Sequence, residues 1–126
     1  MKFGYTILYV TDVEKTVAFY ESAFGLKRRF VHESGYGELD TGETKLAFAS
    51  LELATSNGVS FVPVNTEGPP PAVEVALVTE DVQAAFAAAV KAGAVPFAQP
   101  KQKPWGQTVG YVRDLNGFLV EICSPM

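Results

Sequence analysis

An α+β fold of two βαβββ modules is what this sequence predicts, and three observations predict it. Residues Tyr5-Thr-Ile-Leu-Tyr-Val-Thr-Asp12-Val13 return 69 positions later as Glu74-Val-Ala-Leu-Val-Thr-Glu-Asp81-Val82, each copy an apolar strand running into an acidic helix start. Each helix then ends on glycine, at Ala23-Phe-Gly25 and at Lys91-Ala-Gly93. Each half closes with a strand after an Asp-Gly turn, Asp40-Thr-Gly42 before residues 44–50 and Asp114-Leu-Asn-Gly117 before 118–124. A repeat of this length is one supersecondary unit used twice, because neither copy buries its sheet face alone.

The elements follow in order. Residues 3–10 alternate as a strand, with Tyr5, Ile7 and Tyr9 on one face and Thr6, Leu8 and Val10 on the other. Thr11 with Glu14 three residues on has the form of a capping box. A helix then carries Val13, Val17, Tyr20 and Phe24 on one side, and Gly25 suits its left-handed end. Strands are expected at 28–32, 36–40 and 44–50, with turns at Gly35 and Gly42. Between 51 and 71 the periodicity fails, and Glu67-Gly-Pro-Pro-Pro71 excludes both helix and ladder bonding. The expected organisation is therefore one domain, 1–126, with repeats at about 1–50 and 72–126 and a Pro-rich connector at 51–71. The second repeat runs through a strand at 72–79, an alanine-rich helix presenting Val82, Phe86, Ala89 and Val90, and strands at 95–98, 108–113 and 118–124. Residues 100–104 are expected as a loop.

Composition narrows the function classes. At 126 residues, 48% of them hydrophobic, the chain has material for a real core. No apolar run approaches the roughly 18 residues that span a bilayer. The net charge of −4 and the lack of a basic stripe speak against nucleic acid; Lys27-Arg28-Arg29, the only basic cluster, reads as a solvated edge. Met1-Lys2-Phe3-Gly4 runs directly into the first strand, leaving no room for a signal peptide. A lone Cys123 forms no intramolecular disulfide, so the cytoplasm is the expected location.

Two segments carry a family resemblance: Thr11-Asp-Val-Glu-Lys-Thr-Val-Ala-Phe-Tyr20-Glu-Ser-Ala-Phe-Gly25, and Lys103-Pro-Trp-Gly-Gln-Thr-Val-Gly-Tyr-Val-Arg-Asp-Leu-Asn-Gly-Phe-Leu-Val-Glu121. The first is similar to the first helix, and the second to the C-terminal hairpin, of the vicinal oxygen chelate superfamily, which includes glyoxalase I, bleomycin-resistance proteins and extradiol dioxygenases. The resemblance covers essentially the whole chain. It implies a fold of paired βαβββ modules, a groove between facing sheets and a homodimer. It also implies ligand positions at Tyr5, within 46–48, at Glu74 and at Glu121, where a metal-dependent glyoxalase has His, Glu, His and Glu. This chain keeps the last and places a carboxylate at the third. Tyr5 stands where histidine is expected, and the lone His32 lies on another strand.

Alternation puts Glu74 with Ala76 and Val78, and Glu121 with Leu119 and Cys123. Two neighbouring carboxylates do not both ionise without a cation, a proton or hydrogen bonds. They serve either as a receptor for a cationic or hydrogen-bond-donating ligand or as structurally satisfied groups. No metal is assigned; Glu74 and Glu121 are the candidates if a divalent ion binds, since two oxygen ligands without imidazole suit Mg²⁺ better than a transition ion. Glu38 shares a face with Tyr36 and Asp40, and a solvated face is the commoner outcome for such a strand. Trp105 sits in a Pro104-Trp-Gly106 loop with no sheet to fill, and Gln107 follows it with an amide.

The expected function is small-molecule binding of the glyoxalase and bleomycin-resistance type, with Tyr5, Glu74, Trp105, Gln107 and Glu121 lining the site and no cofactor. Carboxylates beside aromatic walls suit a cationic or aromatic ligand. The alternative is a divalent-metal-dependent lyase or isomerase resembling lactoylglutathione lyase. No nucleic-acid or membrane partner is expected.

Overall fold

The structure is a computed structural model that describes residues 1–126. The chain divides into two compact units, Met1–Pro63 and Val64–Met126. The division falls inside the segment expected as the connector.

The first unit contains β1 (Tyr5–Val10), α1 (Val13–Phe24), β2 (Lys27–His32), β3 (Tyr36–Asp40), β4 (Lys45–Ser50) and α2 (Leu51–Ser56). Its sheet has the order β1-β4-β3-β2, with β1 parallel to β4 and the other pairs antiparallel. The second unit contains β5 (Glu74–Val78), α3 (Val82–Lys91), β6 (Val95–Gln102), β7 (Thr108–Arg113) and β8 (Leu119–Cys123), and repeats the pattern as β5-β8-β7-β6. Each unit is a βαβββ module, as the repeat predicts.

Each helix closes one face of its own sheet. In the first unit, Val13, Val17 and Tyr20 of α1 are fully buried, and Tyr20 stands 4.9 Å from the ring of Phe48 on β4. In the second, Val82, Phe86 and Ala89 of α3 are buried over Val112, Val120 and Ile122. Gly37 and Gly110 occupy matching places on these faces. A Cβ would stand 3.0 Å from Val13 and Val17 on Gly37 and 3.1 Å from Phe86 on Gly110, so helix and strand approach closely at both glycines. The residues alternating with these core positions form the face of each sheet away from its helix.

Three local expectations are corrected. Asp12, not Thr11, caps α1: its carboxylate accepts from the Lys15 amide at 3.0 Å, while Glu14 pairs with Arg28 instead of closing a capping box. Leu51–Ser56 is a short helix, not connector; Ser50 caps it by accepting from the Leu53 amide. Six residues are too few for a periodicity to register. β6 runs on through Pro100 to Gln102, where a loop was expected. It is an edge strand with irregular register between Pro96 and Ala98 and between Ala98 and Lys101, and an edge tolerates a residue without an N–H.

Candidate functional site

The second unit gathers its polar chemistry on β8. The Asp114–Gly117 turn is tied by the Asp114 carboxylate, which accepts from the amides of Asn116 and Phe118. That turn sets Arg113 opposite Leu119, and so Tyr111 opposite Glu121. On the other side of β8, Ala76 of β5 pairs with Glu121, one rung along from Glu74 with Leu119. Glu74, Glu121, Tyr111 and Cys123 therefore share the face away from α3.

Glu121 is the acceptor at the centre of this group. The Tyr111 hydroxyl donates to its Oε2 at 2.9 Å. Partial burial, then that hydrogen bond and the charges of Glu121 and Glu74, push the Tyr111 phenol up to about 12. The Glu74 carboxyl is raised above the ordinary carboxylate value, first by desolvation and then by its hydrogen bond with Glu121 and the charge there. Glu74 is exposed as a residue, so its desolvation is local, where the carboxyl lies against its neighbour. The Cys123 thiol, buried and beside Glu121, is pushed up to about 11, chiefly by burial, which makes it a poor thiolate. A phenol donor and two carboxyls thus stand on one partly exposed stretch of the sheet face.

Trp105 and Gln107 form a separate pair. The loop closes through Lys103–Gln107 and Gly106–Lys103 backbone bonds, and the indole, 64% exposed, donates to the Gln107 amide oxygen at 2.9 Å. The amide nitrogen of Gln107 in turn donates to the Ser124 carbonyl at 2.9 Å. Both ends of that amide thus take part in a hydrogen bond within the unit. Gln107 lies four residues from Tyr111, about 13 Å along an extended strand. Tyr5 belongs to the first unit, where it is 55% exposed on the helix-free face of β1.

The first unit has its own carboxylate–phenol pair. Glu38 is 4% exposed, which overturns the solvated reading. Its Oε1 accepts from the Tyr36 hydroxyl at 2.9 Å, and its Oε2 stands 2.6 Å from Arg29 Nη1. Burial and the Glu38 bond push the Tyr36 phenol to about 12. His32 lies beside the exposed Glu33, outside that pair.

No three His, Cys, Asp or Glu side chains stand close enough together to hold a metal ion. Glu74 and Glu121 supply two oxygen donors, one of them inclined to keep its proton, so this donor set does not fit a tightly held transition ion.

Comparison with known proteins agrees with the fold. Residues 2–122 match the model of the Glyoxalase/Bleomycin resistance protein/Dioxygenase superfamily. The chain belongs to this superfamily. A glyoxalase-related enzyme from Fulvimarina pelagi superposes with a TM-score of 0.83 at 21% identity, covering 99% of this chain and 88% of that one. TioX from Micromonospora sp. ML1 gives 0.73 at 22% identity over the whole of both chains. A glyoxalase/bleomycin resistance protein/dioxygenase family enzyme from Burkholderia phytofirmans PsJN gives 0.78 at 16% identity, with 98% of each chain covered. At such identities these structures show the shared fold alone. No curated protein matches the sequence.

The sequence placed Glu74 and Glu121 on one sheet face, as the strand pairing has them, and did not reveal Tyr111 as the donor to Glu121. The signal was present, because the Asp114–Gly117 turn sets the β7–β8 register and that register puts Tyr111 across from Glu121. No helix is long and apolar enough to cross a membrane.

Proposed function

We propose that the protein is a small-molecule-binding member of its superfamily, of the bleomycin-resistance type, whose second unit receives a cationic or hydrogen-bond-donating group at Glu121 and Glu74. The observation that carries this reading is Glu121 itself, a partly exposed carboxylate held in place by Tyr111 and flanked by a second carboxyl. A ligand ammonium or amidinium at this spot takes the place of the shared proton and gains charge-assisted bonds. The exposed Trp105 ring offers a stacking surface to a ligand long enough to reach it. Tyr5 is a ligand contact of the first unit in the same reading. Association as a homodimer belongs to it as well: β1 and β5 are edge strands, and Phe3, Tyr5, Ile7, Val73 and Val78 are exposed on or beside them. A cytoplasmic setting suits the unpaired Cys123.

Titration with a panel of cationic aromatic compounds, read through the single tryptophan, tests this. Saturable quenching that weakens roughly tenfold to a hundredfold in Glu121→Gln supports it, the range expected for losing a charge-assisted bond. Absence of any response across the panel at high ligand concentration overturns it.

A second reading, a glyoxalase-type lyase or isomerase, draws on Glu74. A carboxyl that holds its proton above the ordinary range beside an anionic partner is suited to general acid–base work. Its metal-dependent form has to overcome the two-oxygen donor set. Stoichiometric divalent metal in the purified protein, lost in Glu121→Gln, together with turnover of a carbonyl substrate, would move the assignment to this reading.

A further inference from the structure

The chain has three arginines, and their guanidinium groups are engaged to different degrees. Arg28, on the α1 side of β2, engages both edges: Nη1 meets Glu14 at 2.7 Å, and Nε and Nη2 reach Glu21 at 3.3 and 3.0 Å. Arg113 directs Nε to the Gly117 carbonyl, Nη1 to those of Thr66 and Gly68, and Nη2 to that of Asn65. In both, all three nitrogens meet the chain's own acceptors. Arg29 is different: only Nη1 is engaged, on Glu38, and its side chain is 51% exposed. The side-on Nε/Nη2 edge, the one Arg28 uses to grip a carboxylate, is left whole.

The backbone explains how Arg29 comes to stand there. Arg28 pairs with Leu39 and Phe30 with Glu38, so a bulge between them sets Arg29 and Phe30 together against one partner residue. Bulges of this kind re-aim a side chain. Here Arg28 stays on the helix side, and the next two side chains both meet Glu38 and Tyr36 on the other. The Arg29 guanidinium carbon lies 5.8 Å from the Phe30 ring centre, and the Phe30 and Tyr36 rings lie 6.0 Å apart. Glu38, nearly fully buried with both oxygens engaged, fixes the guanidinium in place. Fixing the fork in advance reduces the entropy lost when a ligand binds.

We propose that Arg29 anchors a second binding site, on the helix-free face of the first sheet, that takes the carboxylate of a small aromatic acid. The planar carboxylate matches the free Nε/Nη2 edge with two parallel hydrogen bonds. The ring of the acid packs against Phe30, which is 40% exposed, and Tyr36. Every residue of this site belongs to the first unit.

The test is an NMR titration of the intact protein with 1-naphthoate, following the arginine Nε–H signals and the ring signals of Phe30 and Tyr36. Acetate and inorganic phosphate serve as reference anions. The Arg29 Nε–H signal moves and saturates with naphthoate, while those of Arg28 and Arg113 stay in place. Acetate binds about tenfold or more weaker, for want of the ring contact. Arg29→Lys keeps a cation for the buried Glu38 but removes the planar fork, and weakens naphthoate by about tenfold as read on the rings. Arg28→Gln leaves naphthoate binding unchanged. The proposal is overturned by the absence of a saturable shift, by undiminished binding in Arg29→Lys, or by phosphate or acetate binding as tightly as naphthoate.

Discussion

Gly117 passes so close to Arg113 that a Cβ placed on it would stand 2.8 Å from the arginine Nη2, with Val64 at 3.1 Å and the Thr66 backbone at 3.3 Å. Its φ of +97° is left-handed as well, and its carbonyl accepts from Arg113 Nε at 2.9 Å. The buried guanidinium thereby ties residues 65–68 to the β7–β8 turn through backbone carbonyl oxygens. The same turn sets the register that delivers Tyr111 to Glu121.

Gly117→Ala combines a strained backbone with a clash against the hydrogen-bonded Arg113 guanidinium and the Thr66 backbone. The expected loss is about 3 kcal/mol or more of unfolding free energy. Gly42→Ala separates the two effects, because Gly42 has a φ of +96° but nothing within 4 Å of an added Cβ. It is expected to lose about 1–2 kcal/mol, from backbone strain alone. Urea unfolding of both variants measures the difference; equal losses would show that the crowding around Arg113 relaxes freely.

Tyr111→Phe removes the donor to Glu121 and leaves the ring in place. The expected cost is about 1–2 kcal/mol of stability at neutral pH. The pH dependence has a definite sign. The phenol is raised from its ordinary 10.0 to about 12 in the folded protein, so the folded state holds the proton more tightly. The stabilisation is complete below pH 10 and disappears as pH rises through about 12. Spectrophotometric titration of the wild type should show one more phenol titrating near 12 than the variant. Loss of a phenol that titrates near its ordinary 10.0 instead would remove Tyr111 from the hydrogen-bond group.

Glu74→Gln imitates the protonated carboxyl. The folded Glu74 carboxyl lies above its usual value of 4.5, so the folded state binds its proton more tightly than the unfolded one. Its contribution favours the fold below pH 4.5 and fades as pH rises through the raised folded value. The variant keeps the hydrogen bond toward Glu121 at every pH. Wild-type stability, followed by thermal unfolding from pH 4 to 8, should therefore decline relative to the variant as pH rises. Parallel profiles would place Glu74 outside the influence of Glu121.

The sequence by itself determined the module and its duplication. The Asp12 and Asp81 helix starts, the glycine ends and the two Asp-Gly turns are local signals whose stereochemistry acts within a few residues. Period-two alternation was enough to put Glu74 with Ala76 and Glu121 with Cys123 on one face. Cross-strand placement was legible where a tight turn sets the register, as for Tyr111 and Glu121. It was not legible for Arg29. Regular alternation gives no warning of a bulge, and with the bulge β2 meets Glu14 of α1 through Arg28 and Glu38 through Arg29. Tertiary structure alone also decided that Glu38 is buried, that Gln107 is engaged by Trp105 and Ser124, and that Arg113 holds residues 65–68. Each depends on a partner strand or segment brought alongside by the fold, and burial and hydrogen-bond pairing are properties of that neighbourhood.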